Sequence, residues 1–341
     1  MVKLLTYNEI DTAAWQALVE QSSYATWFQT REAYEFYASV PEEMMPFAVG
    51  VTEDEQLMGV VVGYSTKEQN PIKQLFTFRS IIVGGPLLHE HISDCALSAL
   101  LLAVKRVTSD SIFVETRNFH DYSRWKIVFE ACGFAYQPHL NIQVPCDTTH
   151  AMSEQRQRQV KKAIKNGAII VQATAEKEIH DWYQILQQLY RTKVRTPLFK
   201  KDFFLRFYRE SRGIYLLVKY QDKVIGGMMC PILNTKAIYE WYVCGMDEEY
   251  RELYPSVMAT HAAIEYAKAH GIAMLDFMGA GQPNVPYGVR DFKMEFGGEL
   301  VKHGRFLYIR KPLLYRIGKM GVKWLKIGSR CKYLTLVQTK K

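Results

Sequence analysis

The feature that most constrains this 341-residue chain is that its order of elements occurs twice. In the first half, Phe47–Val51 and Leu57–Tyr64 read as two strands around the acidic, polar turn 52–56. Leu75–Ile82 reads as a third strand, ending in Gly84-Gly85-Pro86. Ile92–Val107 has helical period, with Cys95, Leu97, Leu100, Leu101 and Val104 assigned to one side. A short strand, Ile112–Thr116, a helix, Trp125–Cys132, closed by Gly133, and a last strand, Phe134–Pro145, complete it. The second half repeats this with Ile214–Tyr220, Val224–Ile232, Ala237–Gly245, the helix Val257–His270, Met274–Phe277, Phe292–Phe296 and Phe306–Ile309. Landmarks such as Val114 and Leu275, or Gly59 and Gly226, stand 161 to 167 residues apart. A repeat of that length means duplicated domains rather than a solenoid. Strands mixed with amphipathic helices place each half in the α/β or α+β classes. The expected division is 1–148, 149–309 and a tail, 310–341.

The most distinctive stretch runs from Leu275 to Arg305. A short strand stops at Met278-Gly279-Ala280-Gly281, where small residues either let a ligand approach the backbone or simply make a turn. A proline-containing loop leads to Tyr287-Gly288-Val289-Arg290-Asp291-Phe292-Lys293, then Phe296-Gly297-Gly298-Glu299. Asp276, at the strand end, is placed to orient a ligand or to cap the turn that follows. These runs resemble the C-terminal signature of the Fem peptidyltransferases, over a resemblance reaching from about Thr26 to Ile309. That family transfers amino acids from aminoacyl-tRNA to the peptide of a peptidoglycan precursor, on two tandem GNAT-like (acetyltransferase-like) domains. The resemblance implies Lys293 as the group that stabilises the reacting centre. It also implies Tyr254, Asp276 and Arg290 as positioning residues, and Tyr287, Gly279 and Gly281 as substrate contacts.

Composition narrows the classes. No apolar run approaches the ~18 residues of a membrane span, and the first residues turn acidic too early for a secretory signal. Six scattered cysteines without a CxxC pair point to a reducing compartment, so a cytoplasmic protein is expected. The nine histidines lack metal spacing, and GxGxxG, P-loop, HExxH and GxSxG motifs are absent. No cofactor or metal is expected. His261 reads as a packed or surface histidine.

The net charge of +8 is local. Residues 310–341 hold ten Lys or Arg and no Asp or Glu, leaving the rest of the chain slightly acidic. Leu313, Ile317, Met320 and Trp324 recur at helical spacing there, with Arg316, Lys319, Lys323 and Lys326 on the flanks. This basic amphipathic helix suits an anionic membrane surface, giving a peripheral location on its inner face, or docks on the protein body; tRNA contact is a further use of the same charge. A second basic helix, 156–167, aligns Arg158, Lys161, Lys162 and Lys165 on one face, for phosphates or simply for water. Arg195 lies in a polar-aromatic stretch, 190–207, that offers another anion contact.

In acetyltransferases of this architecture a glycine-rich turn at a helix N-terminus holds the coenzyme A pyrophosphate. Here Tyr254 and Ser256 stand where the glycines belong, Pro255 has no N–H to offer, and Gly84–Leu88 does not restore the pattern in the first half. The expected activity is therefore aminoacyl transfer from aminoacyl-tRNA to a UDP- or lipid-linked muropeptide. The alternatives are an acyl-CoA-dependent N-acyltransferase acting on a sugar or lipid, and a non-catalytic membrane-surface protein of the same fold.

Overall fold

The computed structural model describes residues 1–68, 70–147 and 151–320. The expected boundary at Thr148 and the tail from 321 onward, with Trp324, Lys323 and Lys326, lie outside the described residues.

The first half runs β1 (Val2–Thr6), α1 (Thr12–Gln21), α2 (Arg31–Ser39), β2 (Met44–Glu53), β3 (Gln56–Thr66), α3 (Pro71–Thr77), β4 (Ser80–Gly84), β5 (Leu87–Leu88), α4 (Asp94–Val107), β6 (Phe113–Asn118), α5 (Lys126–Ala131), β7 (Ala135–Gln137) and β8 (Asn141–Pro145). The second runs α6 (Glu154–Lys165), β9 (Ile169–Gln172), α7 (Glu176–Leu189), α8 (Lys201–Arg209), β10 (Ile214–Tyr220), β11 (Lys223–Cys230), β12 (Ile232–Leu233), β13 (Ala237–Tyr239), β14 (Tyr242–Gly245), α9 (Pro255–Ala269), β15 (Met274–Asp276), α10 (Gly288–Met294), β16 (Glu299–Val301) and β17 (Arg305–Ile309). Residues 312–320 are helical.

The repeat is visible in detail. Both hairpins, β2–β3 and β10–β11, turn through two residues of positive φ, Asp54-Glu55 and Gln221-Asp222, the geometry that matches strand twist. In each half one strand then pairs in parallel with the next across a helix: β4 with β6 over α4, and β13 with β15 over α9. Leu97, Leu100, Leu101 and Val104 form the buried face of α4. Cys95 is exposed, correcting its assignment to that face, because two helical positions before Leu97 is nearly the opposite side.

The last strand of each half, however, belongs to the other half. β17 lies between β6 and β7, with Phe306 opposite Thr116 and Tyr136. β8 lies between β15 and β16, with Ile142 opposite Leu300 and Val144 opposite Leu275. Strand pairing thus crosses the linker in both directions. The expected single strand Phe134–Pro145 is two, because Pro138 cannot donate to a ladder and the chain leaves the first sheet there. Two further expectations need correcting. The start of Leu75–Ile82 is helical: Asn70 accepts from the Ile72 N–H (3.0 Å) and Pro71 pre-sets the first helical residue. Ala237–Gly245 breaks at Glu240-Trp241, where the chain passes from pairing with β15 to pairing with β11.

The largest core cluster also spans both halves. Trp241 sits among Trp27, Phe28 and Phe36 from the first half and Phe203 and Phe207 from the second, with ring centroids 5.1–6.0 Å apart. Each fully buried ring of this kind contributes about 1.5–3 kcal/mol over exposure. The halves therefore share a dry aromatic seam.

Candidate active site

The break at Glu240-Trp241 places one carboxylate in the seam between two sheets. Glu240 is buried, and its carboxylate meets the Lys293 ammonium of α10 at 2.9 Å. Lys293 is also buried, and spends its other protons on the carbonyls of Phe277 (2.9 Å) and Gly279 (3.1 Å). Its ammonium sits 4.9 Å above the Phe277 ring. Beside it, Asp276 is fully buried and accepts from Asn141 (2.9 Å to both oxygens), Gln143 (3.0 Å) and the Met278 N–H (2.6 Å). Asn141 and Gln143 ride on β8, so the exchanged strand completes this cluster. Burial pushes both carboxyls above their usual range; Lys293 opposes this at Glu240, and the Asn141, Gln143 and Met278 donors oppose it at Asp276.

The turn that carries Gly279 and Gly281 is clamped from two sides. Arg290 donates to the Ala280 carbonyl (2.8 Å) and to that of Gln282. Gly281 has φ +79°, and a Cβ there would lie 2.9 Å from the Tyr287 ring. Gly279 has φ +145° and faces open space toward His139. The crossing segment bonds to this turn through Leu140, paired with Ala280 and Gly281 (both 2.8 Å). Arg156, at the start of α6, stacks 4.5 Å over Phe292 and pairs with Glu295 (3.1 Å), fixing α10 from outside.

A cleft of about 610 Å³ opens between the halves and reaches Tyr242, two residues along the chain from Glu240. Tyr64, Arg79 and Arg117 line it from the first half, and Tyr190, Phe199 and Tyr242 from the second. Arg117 also lines a small cavity with His139, Asn141, Gly279 and Arg305, so its side chain joins the cleft to the glycine turn. Glu115 is the carboxylate that pairs with both Arg117 (3.2 Å) and Arg305 (2.7 Å). Burial opposes its ionisation, but the two guanidiniums outweigh that and hold it at about 2. His139 accepts from Arg305 (2.9 Å); burial and that neighbour push it down to about 4, so it is a neutral acceptor. The cleft itself is bordered by both signs, Lys67, Arg79, Arg117 and Lys200 against Glu42, Glu43 and Glu68, so an anionic group finds its cations on the Arg79–Arg117 side. A larger groove, about 670 Å³, lies between α7 and the β10–β11 turn and is bordered by residues of both signs. It touches none of the clustered residues.

The remaining expected site residues are elsewhere. Tyr254 is the left-handed residue before α9, φ +44°, beside the Lys162–Glu252 pair. Arg158 and Lys161 are exposed on α6, Arg158 within 3.5 Å of Glu154. Arg195 is exposed, with φ +55°, just before the stretch 196–200 that rims the cleft. Glu240, Asn141, Gln143, Arg117 and Arg305 were not among the expected residues.

The two helix N-termini that would seat a pyrophosphate are already occupied. At α9, Asp247 accepts from the Ser256 N–H (3.0 Å) and hydroxyl (2.5 Å). At α4, Glu53 accepts from the Ser93 N–H (3.0 Å) and hydroxyl, while Ser93 caps the Ala96 N–H (3.1 Å). Each half thus parks its own carboxylate where an anion would bind. Among the described residues, no group of three or more His, Cys, Asp or Glu is placed to hold a metal ion.

The family model for FemAB matches residues 219–321, the segment that contains Glu240, Asp276, the glycine turn and Lys293. The crystal structure of FemX superposes with a TM-score of 0.69 at 14% identity, over 92% of this chain and 99% of that one. The chain has a Fem-type, GNAT-like fold. The structure of L-PGS from Bacillus licheniformis matches at TM-score 0.57 and 10% identity, over 91% of this chain and 96% of that one. A tandem GNAT protein from the clavulanic acid biosynthesis pathway matches at TM-score 0.55 and 9% identity, over 90% and 98%. No curated protein sequence matches the chain.

Proposed function

We propose that this protein is an aminoacyltransferase that moves an amino acid from aminoacyl-tRNA to an amine on the peptide of a peptidoglycan precursor, within the cleft between its halves. The observation that carries this reading is the buried Lys293–Glu240 pair, inside the segment that matches FemAB. The occupied N-termini of α4 and α9 favour it over an acyl-CoA donor.

The reaction is balanced without a cofactor. The acceptor nitrogen attacks the ester carbonyl, a C–N bond forms, the C–O bond to the tRNA ribose breaks, and the amine proton passes to the departing oxygen. Charge develops on the carbonyl oxygen in between, and a fixed cation nearby lowers that barrier. Lys293 is held for this role by Glu240 and aimed at the Gly279 turn, where it exchanges a carbonyl for the developing oxyanion. Arg117 and Arg79 take an anionic part of the precursor in the cleft, and Asp276, with Asn141 and Gln143, fixes the Met278–Gly279 backbone that borders the reacting carbonyl.

Mass spectrometry of a muropeptide acceptor after incubation with the protein and a charged tRNA pool tests this. A gain of one amino-acid residue mass is expected. No gain, with an acyl mass appearing when acyl-CoA is supplied, hands the protein to the acyl-CoA reading.

A further inference from the structure

Two short neighbouring helices, one of them leading into the cleft lining, each expose apolar side chains. On α3, Ile72, Leu75 and Phe76 share a face, and Ile72 is 73% exposed. In the helix 312–320, Leu313, Ile317 and Met320 recur along one side, and Leu313 is 75% exposed. The two helices are neighbours: a Cβ on Gly318 would stand 3.4 Å from the Phe76 carbonyl. The second helix is anchored to the body from behind, with Tyr315 edge-on to Phe113 (5.3 Å) and Lys311 bonded to the Asp110 carbonyl (2.6 Å). Its apolar side therefore points away from the core it is fastened to. Single exposed apolar residues need no explanation, but two neighbouring helices that each expose three do.

Charge selects the occupant. Arg316 and Lys319 are exposed in this helix, and residues 310–341 contain ten cations and no carboxylate. An apolar face edged by cations fits the boundary between acyl chains and anionic headgroups, where basic residues are attracted from solution. Position supports the same partner: Thr77 of α3 and Arg79 just after it line the interdomain cleft. We propose that α3 and the helix 312–320 together form a face for anionic lipid bilayers, which holds the cleft mouth at the membrane surface. This goes beyond the transfer chemistry and stands without it.

The test is sedimentation of the full chain with vesicles of phosphatidylcholine alone or enriched in phosphatidylglycerol. Binding is expected only to the anionic vesicles, weakening as salt rises. The double substitution Ile72→Glu with Leu313→Glu, at two exposed positions, is expected to lower vesicle affinity at least about tenfold while leaving circular dichroism and turnover of a water-soluble acceptor unchanged. Absence of vesicle binding by the unmodified chain overturns the proposal. So does equal affinity of the doubly substituted chain, which would assign the contact to residues 321–341 or place those residues over the patch. Loss of turnover with vesicle binding intact would count against the proposed activity and leave this face standing.

Discussion

At the scale of single residues, the centre of the site is a charge balance that removing one partner upsets. With Lys293→Met, Glu240 keeps its place in the seam and loses its cation. Breaking a buried pair in this way costs about 3–5 kcal/mol, while the double change Glu240→Gln with Lys293→Met is expected to recover most of that stability. Turnover is expected to fall about 10²-fold or more in both, because stability and transition-state charge depend on Lys293 separately. Denaturant unfolding and steady-state kinetics on the same variants separate the two effects. Unchanged turnover in Lys293→Met removes it from the mechanism. Lys293, Asp276 and the glycines were legible in sequence because they sit within one local run. Their partners were not, since Glu240 comes from another strand and Asn141 and Gln143 from the other half. A signal did exist: Glu240 is the lone carboxylate in the apolar run Ala237–Cys244, and a charge in such a place needs a buried partner.

At the scale of elements, the N-termini of α4 and α9 bear on the proposed donor. The replaced glycines at Tyr254 and Ser256 were readable directly, but the occupant was not. Asp247 stands nine residues before Ser256, and only the folded loop brings the two together. Millimolar coenzyme A is expected to leave the melting temperature unchanged. Binding at a hundred times its Kd would add about 2.7 kcal/mol of stability, so a shift of several degrees would reopen the acyl-CoA reading. Asp247→Ala is expected to cost about 1 kcal/mol, seen as a lower denaturant midpoint at unchanged slope. The helix α3 was misread because its apolar residues suit a strand as well as a short helix. The Asn70-Pro71 start was the better guide, and the length of the run was not.

At the scale of the whole molecule, the two halves share their sheets and their largest core cluster. The sequence shows the duplication plainly, since matching landmarks keep their spacing. It cannot show the exchange, because the alternation in Phe306–Ile309 is the same whichever sheet receives it. β17 is an interior strand of the first sheet and β8 of the second, and the aromatic seam is common to both. Calorimetry is expected to give one unfolding transition. Residues 1–148 made alone are expected to aggregate through the unpaired edges of β6 and β7, and to become soluble when 149–341 is made in the same cell. Two well-separated transitions, or a soluble monomeric fragment 1–148, would contradict this.

The exchange also sets a timetable. On a ribosome adding about 5–20 residues per second, the strand that closes the first sheet arrives roughly ten to forty seconds after the slot it fills. Until then the earlier half waits with a missing stave, and Arg117 waits with it, lacking the arginine that will share its counter-ion. The newborn chain cannot complete the Arg117–Glu115–Arg305 grouping until β17 has been made.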